Sequence, residues 1–271
     1  MNFNFLFWNL CRKSLESNIS RLSTYLNVDL LLLCECKIKN SQLLLSINNS
    51  RSSNLFHFIA ENDRGIKIFS TFGNTEFEVV PTTIPELIIL RVIKVNVLVF
   101  VVHLPSKMHF TKDAIFTSRQ IVKEINRVES LHSTSKSMVI GDFNVNPFEK
   151  AMVDYNCFNA VMSIDIANNK FRQVSTEKYP YFYNPMWSFF GDLSSYSPGT
   201  YLYETHSSDN HYRWNMLDQV IMKPDLIPFF NSSSVKIVND DGINKLKLSK
   251  PSKKHSDHYP IFCNFTFEKS C

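Results

Sequence analysis

The sequence predicts an α/β fold, and three observations carry that prediction. Asn2 to Trp8 is an aromatic and apolar run with strand character, and it delivers Asn9 at its C-terminal end. Leu15, Ile19, Leu22 and Leu26 then recur at helical spacing. Val28 to Cys34 is a continuous apolar run suited to a strand buried on both faces, and Glu35 sits where it stops. Strand, helix, strand, with each strand closing on a ligand-type residue, is the arrangement by which α/β proteins put sites at the carboxyl edge of a sheet. A length of 271 residues fits one such domain, 1–271, with no internal repeat and no linker that would divide it.

The remaining elements follow in order. Gln42 to Ile47 reads as a helix, and Leu55 to Ala60 and Gly65 to Thr71 read as short strands. Phe77 to Val80, Glu86 to Ile93 and Val95 to Val102 continue as a β-meander that runs into His103-Leu104-Pro105-Ser106-Lys107. Ile115 to Leu131 is helical by period, with Ile121, Ile125 and Val128 on one face. In Ser137 to Pro147, SMVIGDFNVNP, the apolar run Met138-Val139-Ile140 breaks at Gly141. Asp142 and Asn144 follow, and at extended spacing their side chains would share a face, although Gly, Asp, Asn and Pro are also turn formers. Phe158 to Leu202 is the least regular part. Its aromatic, proline-rich segment Tyr179 to Trp187 suits a loop pinned to the core by its rings or a stacking platform. Trp214 to Met222 reads as one strand carrying Asp218 in mid-run, and Pro260 to Phe267 as the last strand, just after Ser256-Asp257-His258.

Composition narrows the function classes. With 44% hydrophobic and 20% charged residues the chain can bury a core and is not a disordered protein. A net charge of +4 is compatible with an anionic substrate but too small to demonstrate nucleic-acid binding. No apolar run reaches the length of a transmembrane helix. The N-terminus lacks a basic region and a cleavage site, so it reads as a first strand and not a signal peptide. The six cysteines lack a zinc spacing and read as free thiols of a reducing compartment, which makes a cytoplasmic location the expectation.

Polar residues at strand ends form a set: Asn9, Glu35, His103, Asp142, Asn144, Asp257 and His258, with Asp218 within a strand. Any one of them has an ordinary structural explanation as a turn or satisfied core residue. Together, carboxylates with an amide make a hard oxygen site for Mg²⁺ or Mn²⁺, whereas zinc would favour more His or Cys. Two histidines supply proton transfer near neutral pH and stabilise charge on a phosphoryl group.

The order Trp8-Asn9, Glu35, His103-Leu104-Pro105-Ser106, Gly141-Asp142-Phe143-Asn144, Asp218, Ser256-Asp257-His258 resembles the endonuclease/exonuclease/phosphatase superfamily, the DNase I-like enzymes. The likeness runs from Trp8 to Pro260. It implies a four-layer α/β sandwich, two face-to-face mixed β-sheets flanked by helices, with a site at one edge. It further implies that Glu35 is the principal metal ligand, with Asn9 and Asp257 nearby. Asp142 and Asn144 would orient the attacking water and contact the phosphate, while His258, oriented by Asp218, would stabilise transition-state charge. His103 would face the leaving group, and Glu86 would support it.

The activity so implied is divalent-metal-dependent hydrolysis of phosphodiester bonds, with DNA as the expected substrate of a nuclease. A phosphatase or phosphodiesterase acting on a lipid head group or small phosphate ester is the alternative. Lys107, Tyr183 and Trp187 are candidate substrate contacts. The lysines of Lys245 to Lys254 suit either a basic rim along a nucleic-acid backbone or a solvated loop.

Overall fold

The computed structural model describes residues 1–49, 51–106, 113–191, 193, 195–203, 213–246, 248 and 255–267. The first half of the chain runs β1 (Asn2–Asn9), α1 (Glu16–Tyr25), β2 (Leu30–Cys34), α2 (Asn40–Asn48), β3 (His57–Glu61), β4 (Lys67–Ser70), β5 (Phe77–Val80), β6 (Leu87–Val92), β7 (Val97–His103) and α3 (Ala114–His132). The second half runs β8 (Ser137–Asp142), α4 (Lys150–Val153), β9 (Ala160–Val161), α5 (Ile164–Ala167), β10 (Phe171–Val174), β11 (Glu177–Pro180) and β12 (Phe182–Tyr183). It ends with β13 (Tyr201–Leu202), β14 (Trp214–Asn215), β15 (Asp218–Met222), β16 (Phe230–Ile237) and β17 (Ile261–Thr266). One sheet has the order β16-β17-β1-β2-β4-β3, the other β5-β6-β7-β8-β15-β12-β9. Both are mixed: β1–β2 and β7–β8 are parallel, and their outer neighbours β17 and β15 run antiparallel.

Side-chain alternation along the strands explains the layering. Phe3, Phe5 and Phe7 of β1 and Leu30 and Leu32 of β2 meet Val99 and Val101 of β7 and Met138 and Ile140 of β8 in one core between the sheets. The residues in between face outward. Leu6, Trp8, Leu31 and Leu33 pack against Ile19 and Leu22 of α1 and Leu43 and Ile47 of α2. Leu98, Phe100 and Val139 pack against Ile121, Ile125 and Val128 of α3. Helices, sheet, sheet, helix is a four-layer sandwich.

Gly141 is fixed by the packing of β7 on β8. A Cβ there would lie 2.0 Å from the Val102 carbonyl oxygen, so only glycine lets the two parallel strands pair at this point.

Several expected boundaries move. Trp214 to Met222 is not one strand, because β14 pairs with β13 while β15 joins the large sheet, so Asp218 opens a strand instead of sitting inside one. Asn144 does not continue β8. It adopts a left-handed conformation at φ 52°, and its N–H donates to Asp142 Oδ1 at 2.9 Å, a side-chain-capped turn. The turn reading of this stretch is therefore met. The irregular segment contains the β10–β11 hairpin and β12.

Candidate active site

The site is assembled by strand ends. Asn9, His103 and Asp142 are the last residues of β1, β7 and β8, and they continue the parity of Phe7, Val101 and Ile140, which points between the sheets. Antiparallel β15 begins where β8 ends, so His103, Asp142 and Asp218 stand side by side in register across three strands. On the facing sheet, Asn9 is in register with Cys34, and Glu35 follows. Asn9 Nδ2 donates to Asp142 Oδ2 at 2.9 Å and ties the two sheets together.

Asp142 and Asp218, both buried, are cross-strand neighbours of like charge, an arrangement that needs neutralising. His258 supplies it. Its Nδ1 lies 2.8 Å from Asp218 Oδ2. Burial pulls the imidazole toward its neutral form, but Asp218, with Asp142 and Asp257 behind it, overcomes this and raises its pKa to about 10. His258 is thus a resident cation near neutral pH. Burial also pushes the Asp142 carboxyl upward, partly offset by His258 and His103, which suits a group that takes a proton from water.

The surroundings lock this arrangement. Ser256 Oγ accepts the His258 N–H at 3.0 Å and donates to the Asn9 carbonyl at 2.7 Å, and Trp8 Nε1 donates to the His258 carbonyl at 2.9 Å. Thr200 Oγ1 accepts from the N–H groups of Leu217 and Asp218 at 3.2 and 3.0 Å. The Tyr201 ring lies 4.9 Å from that of His258. Asn144 Nδ2 donates to the Leu104 carbonyl at 2.8 Å, which joins the Asp142 turn to the chain leaving His103.

Glu35 stands apart from this network. It is left-handed at φ 48°, a conformation that costs a non-glycine residue about 1–3 kcal/mol and that clusters at functional sites. Its Oε2 meets Arg12 Nε at 3.2 Å and its Oε1 lies 3.8 Å from His103 Nε2. Asp257 Oδ1 is buried with no hydrogen-bond partner among the described residues, 4.0 Å from His258 Nε2. Glu35, Asp257 and the Asn9 amide carry oxygen ligand atoms of the type a hard divalent cation takes; Asp257 Oδ1 is without a partner among the described residues, and so is Asp218 Oδ1. Asp142, Asp218 and His258 also bring ligand-type atoms within 4.8 Å of one another. There, His258, pushed toward its charged form by Asp218, already places positive charge beside the two carboxylates.

A cleft of about 1130 Å³ collects these groups: Asn9, Glu35, His103, Asp142, Asn144, Asp257 and His258 all line it. Glu86 lines it too; its carbonyl accepts the His103 N–H at 2.9 Å, and its carboxylate lies 3.5 Å from Arg64 Nη2. Tyr183 and Trp187 do not. Tyr183 is 7% exposed in the core between the sheets against Phe230, and Trp187 packs on Phe148 and Phe190. The Tyr179 to Trp187 segment therefore does not cap the cleft; strand pairing and ring packing hold it elsewhere. Lys107 and most of the lysine-rich loop before Ser256 lie outside the described residues. Sequence reasoning missed Arg12, Thr200 and Tyr201, which no motif marks, and gave no role to Ser256, although it belongs to the Ser-Asp-His signature.

Among solved structures, a 3′ phosphatase from Neisseria bound to product DNA hairpin matches at a TM-score of 0.57 and 12% identity, covering 98% of this chain and 100% of that one. An AP endonuclease from Archaeoglobus fulgidus matches at 0.55 and 14%, covering 98% and 100%. The catalytic domain of human Nocturnin with bound sulfate matches at 0.54 and 16%, covering 98% and 95%. At these identities the likeness establishes the fold. No curated protein matches the sequence. A family model for the endonuclease/exonuclease/phosphatase family spans residues 1–258, with the whole strand-end constellation inside it. The chain belongs to the endonuclease/exonuclease/phosphatase family, and that membership supports a phosphoesterase.

Proposed function

We propose that residues 1–271 form a single catalytic unit that hydrolyses phosphodiester bonds in DNA with Mg²⁺ or Mn²⁺. The observation that carries this reading is the hydrogen-bonded Asp218–His258 pair set beside Asp142 and across the cleft from Glu35. Glu35, Asn9 and Asp257 would hold the ion. When bound, it polarises a phosphoryl oxygen and lowers the cost of developing negative charge.

The chain's own groups do the rest. Asp142 and Asn144, joined through the Asp142 turn, orient a water for attack, and Asp142 takes its proton. The charged His258, held by Asp218, donates to a phosphoryl oxygen as charge builds there, a preorganised contribution worth about 3–4 kcal/mol in comparable sites. His103 faces the leaving oxygen from the far side of Asp142, with Nε2 3.9 Å from Asp142 Oδ2.

DNA as substrate draws support from the product DNA hairpin bound to the similar Neisseria phosphatase and from the cations Arg12, Lys37, Arg64 and Lys67, which line the cleft among its carboxylates. A cytoplasmic location draws support from five free cysteines among the described residues. Incubation with plasmid DNA and Mg²⁺ or Mn²⁺, against an EDTA control, tests the reading. Metal-dependent nicking is expected. Release of phosphate from small or lipid esters without nicking would assign the chain to the phosphatase branch instead.

A further inference from the structure

Glu35 already has a cation beside it. Arg12 Nε lies 3.2 Å from Glu35 Oε2, while the other carboxylate oxygen faces His103. This contact is set by the main chain. The parallel pairing of β1 and β2 runs on past both strand ends, with the Leu10 N–H donating to the Cys34 carbonyl at 2.9 Å and the Arg12 N–H to the Glu35 carbonyl at 3.1 Å. Cys11 and Arg12 are both left-handed, at φ 47° and 60°, and so is Glu35. L-residues rarely adopt that conformation, and here it turns the chain so that residue 12 sits over residue 35. The Arg12 side chain is 67% exposed, so the pair lies where solvent and ions can reach it.

We propose that Arg12 is a resident counter-ion that competes with the divalent cation for Glu35. With the ion absent, it screens a cleft lined by the carboxylates of Glu35, Asp142 and Asp257; ion binding displaces it from Oε2. Measured ion affinity is therefore the intrinsic affinity of the oxygen site reduced by the strength of the arginine pair. The proposal rests on Glu35 being the ion's principal ligand.

Calorimetric titration of Mn²⁺ into the full chain, without substrate, tests it. Arg12→Gln is expected to tighten Mn²⁺ binding about two- to fivefold, the range that an exposed ion pair can account for. Arg12→Lys, which keeps the charge, is expected to stay within about twofold of wild type. Lys37→Gln serves as the control, because Lys37 lines the same cleft but makes no ion pair with Glu35. Unchanged or weaker binding in Arg12→Gln, or equal tightening in Lys37→Gln, would overturn the competition while leaving the metal reading intact. Absence of Mn²⁺ binding in wild type, or undiminished binding in Glu35→Gln, would remove the metal reading and the competition with it.

Discussion

The two sides of the cleft are built on opposite principles. On the Asp218–His258 side the groups are buried and braced: Asp218 is 0% exposed, His258 7%, and Thr200, Ser256, Asn9 and Trp8 bond to the chain around them, while Asp218 Oδ1 has no partner among the described residues. On the Glu35 side the carboxylate is a quarter exposed, its backbone is strained, its partner is an exposed arginine, and Asp257 keeps an orphaned oxygen. Preorganisation explains the first side, since a cation that must stabilise developing charge works best when it is already fixed. Exposure suits the second, since a site proposed to admit an ion needs ligands that the ion can reach.

Substitutions on the two sides should therefore fail in different ways. Asp142→Asn keeps the shape of the buried row but removes the proton acceptor, and hydrolysis should fall about 10³-fold or more, measured as nicking rate, with far-UV dichroism unchanged. Full activity in the purified variant would contradict the assignment. Glu35→Gln should lower activity about 10²-fold and abolish Mn²⁺ binding, yet leave stability within about 0.5 kcal/mol, because the side chain is partly exposed. A large loss of stability there would erase the contrast between the sides.

Asp218→Asn should lower turnover about tenfold and change the pH dependence of stability. The folded pKa of His258, about 10, lies above its ordinary 6.5, so the stabilisation from its charged form is complete below about 6.5 and lost as pH rises through about 10. Urea midpoints measured in EDTA across that window should decline in wild type and flatten in Asp218→Asn. Thr200→Val, which strips the acceptor from the Leu217 and Asp218 N–H groups, should cost about 1–3 kcal/mol by urea unfolding.

Much of the frame is legible in the chain because the governing forces are local. The apolar runs at Val28–Cys34 and Met138–Ile140 carry their own strand signal, and β2 and β8 form there with boundaries shifted by only a residue or two. Asp142 and Glu35 could be picked out because each follows the point where such a run breaks. Tyr183 and Trp187 could not be judged the same way. An aromatic residue looks alike in sequence whether its ring lines a cleft or fills a core, and here β12 carries Tyr183 into the core.

By itself, then, the sequence determined which chemical groups sit at the ends of which strands, because side-chain alternation and strand termination are properties of neighbouring residues. Only the tertiary structure decided which of those groups meet. His258 reaches Asp218 across 40 positions, and Asn9 reaches Asp142 across 133. Those pairings follow from two sheets packed face to face at a distance fixed by their shared core. No local pattern encodes that distance.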